Sequence, residues 1–391
     1  MQHVFIVGSK GIPGAYGGYE TFVDKLTEYH QDNKQIKYHV ACKKARKEEF
    51  EYHNARCFNI KVPDIGPAQA IYYDVAALEA CCKYIRKNHI EHPIVYILAC
   101  RIGGFAPYYR RRIHKLGGKV YVNPDGHEWM RAKWSSPVRK YWKFSERVMV
   151  KYADLIICDS KNIEIYIHHT YDEKGMGGSN LKTTFIAYGA EIGKSRLEDD
   201  GSYMDWLAEK GLKKKEYYLI VGRFVPENNY EIMIREFMKS KSKKDLVIIT
   251  TANSRFLADL EVRLHFGQDK RVRFMEPVYE QGLLKKIREN AYGYLHGHEV
   301  GGTNPSLLEA LGSTDLNLLL DVGFNREVAE DAALYWTKAP GSLKRLIEET
   351  DQMNKAQLQR LGKSAKQRIA DGYTWEMIAG KYERLFTGAA P

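Results

Sequence analysis

The sequence predicts an α/β protein of two Rossmann-like, doubly wound domains facing a central cleft. Three observations lead there. The chain has 391 residues, more than one ordinary core holds, since domains of roughly 100–200 residues are the rule. Short, unbroken apolar runs recur along it, too continuous for exposed alternating strands and suited to parallel strands buried on both faces. Amphipathic segments with helical spacing lie between them, which is the alternation of a parallel sheet covered by helices.

In chain order, the first runs are VFIV (4–7), IVYILA (94–99), VYV (120–122) and LIIC (155–158). After the first of them, YETFVDKLTEY places Tyr19, Phe22, Val23 and Leu26 on one helical face. A polar, Gly-rich break spans 170–215, where YDEKGMGGSN and SRLEDDGSYMDW flank the apolar piece TTFIAYGAE. A second series then starts at Tyr217, with YYLIV (217–221), LVII (246–249), VRF (272–274), GYL (293–295) and LNLLL (316–320). This places a first domain at 1–190 and a second at 191–372.

Hydrophobic residues make up 44% and charged residues 28%, the balance of a soluble globular protein. The net charge of +11 favours an anionic partner, whether nucleic acid, a phosphorylated small molecule or a membrane surface. Cys42, Cys57, Cys81, Cys82, Cys100 and Cys158 form no Cys-x-x-Cys pair and several sit in apolar runs, so buried free thiols in a reducing cytoplasm are expected. The start MQHVFIVGSKG lacks the marks of a signal peptide. No apolar run approaches the ~18–20 residues that span a bilayer, so any membrane contact is expected to be peripheral.

Five segments carry candidate chemistry. GSKGIPGAYGGYE (8–20) follows the first strand; its glycines, Gly17 and Gly18 among them, let backbone approach a ligand, though the segment also serves as a plain β–α connection. YVNPDGHEWMRAKW (121–134) gathers Asp125, His127 and Glu128 at a strand end. NPDG there is an ordinary turn signature, but Asp125 is also a carboxylate suited to taking a proton from an acceptor hydroxyl. The run RAKWSSPVRKYWKFSERVMVKY (131–152) interleaves seven cations with aromatics against Glu146 alone. A solvated helix face, an interface with anionic lipid and a single-strand nucleic-acid surface all fit it. A second basic cluster, YYRRRIHK (108–115), lies nearby in sequence.

VGRFVPENN (221–229) sends Arg223 out of the first strand of the second domain, where it can fork onto a diphosphate. HEVGGTNPSLLEAL (298–311) sets Gly301 and Gly302 before Thr303, the N-cap Asn304 and Pro305, with Glu309 one turn further on. Free N–H groups and the dipole at such a helix start attract anions. No His-Glu-x-x-His, Cys/His cluster or Asp-x-Asp occurs, so no metal is expected and side chains and helix ends must neutralise a diphosphate.

Taken in order, GSKGIPGAYGGYETFVDKL, NPDGHEWMRAKWS, ADLIICDS, VGRFVPENNYEIMIREF, GGTNPSLLEAL and NREVAEDAALYW resemble the bacterial retaining glycosyltransferases of family 4. Within them the chain is most similar to the rhamnosyltransferases of cell-wall and capsular polysaccharide assembly, including the streptococcal rhamnan-initiating enzymes. The resemblance runs from about residue 4 to residue 385. It implies a GT-B fold, metal independence, a nucleotide-sugar held by the second domain and an acceptor by the first. It also implies that a last helix at 373–388 packs back on the first domain.

By motif position, Arg223 matches the phosphate-binding arginine and Glu309 the second carboxylate of a Glu-x7-Glu motif that holds the ribose. Two positions depart: Gly301 stands where the first carboxylate belongs, with Glu299 two residues earlier, and Asn228 replaces a lysine. The implied donor is dTDP-L-rhamnose, with no further cofactor. The implied acceptor is a lipid-diphosphate-linked sugar at the cytoplasmic face of the cell membrane. Donor contacts are expected from Arg223, Asn228, Gly302, Thr303, Asn304, Glu309, Gly17 and Gly18, and acceptor contacts from Asp125, Glu128, Arg131 and Lys133. The same fold with a UDP-hexose donor, and a non-catalytic protein binding nucleic acid or nucleotide-sugar, are the alternatives. The ordered loops at both sets of strand ends speak against nucleic acid.

Overall fold

The computed structural model describes residues 1–14, 17–44, 48–131, 134–172, 181–197, 201–251 and 254–388. They form two compact units, one of Met1–Gly189 with Trp375–Pro391 and one of Ala190–Thr374.

The first unit holds an eight-stranded sheet. Its strands are β1 (Gln2–Val7), β2 (Ile36–Lys43), β3 (Glu49–Tyr52), β4 (Ala55–Ile60), β5 (Ile94–Leu98), β6 (Lys119–Asn123), β7 (Leu155–Cys158) and β8 (Thr183–Phe185). The spatial order is β3-β4-β2-β1-β5-β6-β7-β8, parallel throughout except for the β3–β4 hairpin. Val4, Phe5, Ile6 and Val7 are all fully buried, as a strand covered on both faces requires. The edge strand β3 instead alternates and exposes Glu49 and Glu51, charges that discourage edge-to-edge pairing.

The second unit holds β9 (Tyr217–Val221), β10 (Asp245–Ile249), β11 (Val272–Met275), β12 (Gly293–His296), β13 (Asn317–Leu320) and β14 (Leu334–Trp336). Their order is β11-β10-β9-β12-β13-β14, and all pairs are parallel. Each sheet reverses its strand order beside its first strand, at β1/β5 and at β9/β12. The crevice beyond the carboxyl ends of such strands is where doubly wound sheets bind ligands.

The helix Trp375–Thr387 belongs to the first unit. Its Tyr382 hydroxyl lies 3.1 Å from that of Tyr96, and the Ala379 carbonyl lies 3.1 Å from Nε2 of His30. Trp375 packs so closely on Gly189 that a Cβ there would come within 2.6 Å of the indole. All six cysteines are buried free thiols. Among the described residues no helix is long and apolar enough to cross a membrane.

Candidate functional site

In the second unit the loops leaving β9 and β12 are tied together. Asn304 caps the helix Pro305–Ser313, its Oδ1 accepting from the Ser306 N–H at 2.9 Å. Ser306 in turn donates its hydroxyl to the Val221 carbonyl at 3.0 Å, and the Tyr294 hydroxyl meets both groups. The helix start is therefore fixed against the end of β9. Two residues beyond Val221, Arg223 is exposed. Asn228 Nδ2 donates to the Arg223 carbonyl at 2.7 Å, and Asn228 Oδ1 lies 2.8 Å from Nδ1 of His298. Asn228 thus acts here as a brace between the two loops. A lysine at this position could donate but has no acceptor, so it could not make both bonds.

Gly301 has φ +130°, a conformation that side-chain-bearing residues rarely adopt. The position aligned with the first carboxylate of the Glu-x7-Glu motif is therefore held in a backbone shape that disfavours any side chain. Glu299 is engaged elsewhere: its side chain forms an ion pair with Lys338, and its N–H donates to the Glu227 carbonyl at 3.3 Å. Gly302 and Thr303 are buried. Glu309 pairs with Nη2 of Arg288 at 2.6 Å, and Arg288 is only 3% exposed.

In the first unit, the loop after β1 is pinned by the helix Gly18–Tyr29 that follows it. Glu20 Oε1 accepts from the Lys10 N–H at 2.6 Å and Asp24 Oδ2 from the Gly14 N–H at 2.7 Å. Gly17 stands at the helix start with φ +133°, and a Cβ there would fall 1.9 Å from Glu20 Oε2. Gly18, the first helical residue, is exposed. Gly8 has no alternative either: a Cβ would lie 2.2 Å from the Leu98 carbonyl oxygen. Below the loop, Arg101 donates from Nε to Asp74 Oδ2 at 2.8 Å and from Nη2 to the Gly8 carbonyl. Burial pushes the Asp74 carboxyl up to about 6, against the pull of Arg101.

The loop after β6 has three successive left-handed residues: Asp125 (φ +66°), Gly126 (+98°) and His127 (+54°). Such clusters of sparsely populated backbone are characteristic of functional loops. Asn123 Oδ1 accepts both the Asp125 N–H at 2.8 Å and the Tyr19 hydroxyl at 3.3 Å. Burial first, and the Asp125 carboxylate second, hold the Tyr19 phenol well above its ordinary pKa, so it remains a donor. Glu128 is paired with Arg131, which is buried, and accepts from the Trp134 indole at 2.9 Å. Lys133 lies outside the described residues.

The basic aromatic run divides by helix face. On the helix Ser136–Tyr152, Trp142 is buried and Lys143 lies 4.5 Å over Trp129, beside Glu146. Arg139, Lys140, Phe144, Arg147 and Lys151 point to solvent. The neighbouring helix Ala106–Lys115 packs alongside: the Gly103 N–H just before it donates to Ser145 Oγ at 2.7 Å. It adds exposed Phe105, Tyr108, Arg111 and Lys115. Half of the run is thus internal scaffolding, and the other half is one arm of a wider cationic and aromatic surface.

Arg288, Arg101, Asp74, His296 and His298 were not singled out by sequence reasoning. Asp74 and Arg288 lie on helices, His296 ends a strand, and Arg101 and His298 lie in loops whose partners only the tertiary structure supplies. Among the described residues no group of His, Cys, Asp and Glu is arranged to hold a metal.

Residues 1–191 match a family described as a domain of unknown function (DUF1972). No curated protein matches the chain in sequence. Solved structures match its fold. A sucrose-phosphate synthase from Thermosynechococcus elongatus is similar with a TM-score of 0.78 at 16% identity, covering 100% of both chains. An α,α-trehalose 6-phosphate synthase from Burkholderia multivorans gives 0.77 at 10% identity, over 99% of this chain and 96% of that one. HepE from Anabaena, in complex with UDP, gives 0.67 at 11% identity over 99% of this chain and 100% of that one. The chain therefore has the GT-B fold, two Rossmann-like domains with parallel sheets.

Proposed function

We propose that the protein is a metal-independent, retaining glycosyltransferase that moves L-rhamnose from dTDP-L-rhamnose to a lipid-diphosphate-linked sugar in cell-surface polysaccharide synthesis. One observation carries the reading: at the β9/β12 switch point an exposed arginine, a glycine loop and an Asn-capped helix start are fixed to one another by hydrogen bonds. Backbone N–H groups and a guanidinium so arranged stabilise the negative charge of a departing nucleoside diphosphate, the largest electrostatic task in glycosyl transfer. The UDP bound by HepE, of like fold, supports a nucleotide-linked donor. The choice of rhamnose rests on the sequence resemblance.

In this reading Arg223 and the loop Gly302, Thr303 and Asn304 take the diphosphate, Asn228 holds Arg223 in place and Glu309 orients the ribose. Gly17 and Gly18 admit the donor from the first domain. Asp125 positions the acceptor hydroxyl or takes its proton, with Glu128, Arg131 and Lys133 on the acceptor side. The exposed face of Arg111, Lys115, Lys140, Arg147 and Lys151, with Phe105, Tyr108 and Phe144, rests on the anionic inner face of the cell membrane. The test is product analysis with lipid-linked acceptors and a panel of nucleotide-sugars. Transfer from dTDP-L-rhamnose alone is expected. Transfer from a UDP-hexose in its place would overturn the sugar assignment. Salt-sensitive nucleic-acid binding with no turnover of any donor would overturn the reaction class.

A further inference from the structure

Strand β12 ends in His296. Side chains on a strand alternate between faces, so Tyr294 and His296 share one. Tyr294 shows which face it is: its hydroxyl lies 2.9 Å from Ser306 Oγ, in the first turn of the helix Pro305–Ser313. His296 stands one step further toward the carboxyl end of the strand, on the same face. Its ring stacks near that of Tyr294, with centroids 6.0 Å apart and planes at 25°.

This imidazole is 5% exposed, and its Nε2 has no hydrogen-bond partner among the described residues. The next histidine along, His298, shows the contrast, since its Nδ1 is engaged by Asn228. Burial alone pushes the His296 pKa down to about 3, so the ring is neutral at physiological pH. A neutral imidazole carries one N–H. Leaving such a group unpaired in the interior is unfavourable unless something that binds later completes it. The place where it is left unpaired is the switch point of the sheet, beside a capped helix start.

We infer that His296 is a donor contact: its Nε2–H bonds an oxygen of the nucleoside diphosphate bound at the Asn304 helix start. The inference rests on the reading of that helix start as the donor site. A neutral N–H suits the position because it binds a phosphate oxygen without placing a second buried charge there. Dependence on this bond would show in phosphate-containing ligands and not in the bare nucleoside.

The experiment uses the full chain with ring-15N histidine and titrates UDP and dTDP separately, with thymidine as the phosphate-free control. The His296 signals are assigned by their loss in His296→Gln. The Nε2 signal is expected to move as either nucleoside diphosphate saturates the protein, and to stay still with thymidine. In His296→Phe, which fills the same space without an N–H, affinity for both diphosphates is expected to fall about tenfold. His296→Gln, which keeps an N–H, is expected to retain most of the affinity. With the signals assigned from a folded Gln variant, the wild-type titration stands whether or not His296→Phe folds. An Nε2 signal that does not move at saturation overturns the inference, as does unchanged affinity in a folded His296→Phe protein. Absence of saturable diphosphate binding in the wild type is a different result: it overturns the donor site itself, and the inference with it.

Discussion

Glu309 has two partners to satisfy if it orients a ribose, and one of them is already in place. Arg288 is 3% exposed and its Nη2 bonds the Glu309 carboxylate at 2.6 Å. Glu309→Ala would strip a buried guanidinium of its counter-charge. Breaking a buried pair by removing one partner costs about 3–5 kcal/mol. The Glu309 side chain is 30% exposed, and the screening that this allows lowers the expected loss to about 2–3 kcal/mol. For a domain of this size each kcal/mol shifts the melting temperature by about 2–4 °C, so the second unit should melt some ~5–10 °C lower. Glu309→Gln keeps an oxygen acceptor for Arg288 and should lose about 1 kcal/mol. Calorimetry of the full chain, with the transition of the second unit identified by added nucleotide, provides the measurement. A Glu309→Ala protein that melts within 2 °C of wild type would refute the reasoning, because the buried arginine would then not depend on this carboxylate. The Gln variant is the one in which lost nucleotide affinity can be read as a lost ribose contact.

Three further outcomes are expected. Arg223→Ala should weaken nucleoside diphosphate binding about 10–100-fold at unchanged thermal stability, since the side chain is exposed; calorimetric titration giving wild-type affinity would remove its phosphate role. Burial depresses His39 and His296 to about 3, so each contributes stability above its ordinary value near 6.5 that is lost as pH falls toward 3. That loss is about 2 kcal/mol for each histidine by pH 5. Asp74, raised to about 6, runs the other way: its stabilisation is full at low pH and lost as pH rises through 6, so acidification from pH 7 to 5 restores part of the first unit's loss. Melts at pH 7 and pH 5 should show a drop in the second unit, and His296→Phe should remove it. Finally, Lys140→Gln, Arg147→Gln and Lys151→Gln combined should reduce binding to vesicles rich in phosphatidylglycerol about 100-fold, at about 1 kcal/mol per charge. Equal sedimentation of variant and wild type would separate this face from the membrane.

Strands buried on both faces were legible because nothing but apolar residues can fill them, as in VFIV of β1 and YYLIV of β9. Strand β2 was not, because IKYHVACK hides two polar side chains in contacts that only the fold makes: His39 stacks on Phe5 at 4.2 Å and Tyr38 bonds His30 at 2.7 Å. The edge strand β3 escaped notice because it alternates, and β14 because three residues leave little pattern to read. In the site, the features readable in advance were those set by local backbone, such as the Asn304 cap and the glycine loops. Arg288 could not be read, since its role comes from a carboxylate on another helix. The same holds for the basic aromatic run, which reads as one surface in sequence until helix periodicity turns Trp142 and Lys143 inward and Phe144 and Arg147 outward.

The return of the helix Trp375–Thr387 to the first unit has a consequence for how the chain is made. Phe22, Tyr38, Tyr96 and Tyr188 all lie against that helix or its aromatic cluster, and none of them is buried in full until it arrives. It arrives only after the whole second unit has been synthesised. On the ribosome, then, the first domain begun is the last one finished, and the second can close its core while the first still has apolar surface open. A piece cut at residue 191, where the family match ends, inherits that open surface permanently. Its insolubility would report on a missing helix and would carry no information about the stability of the sheet.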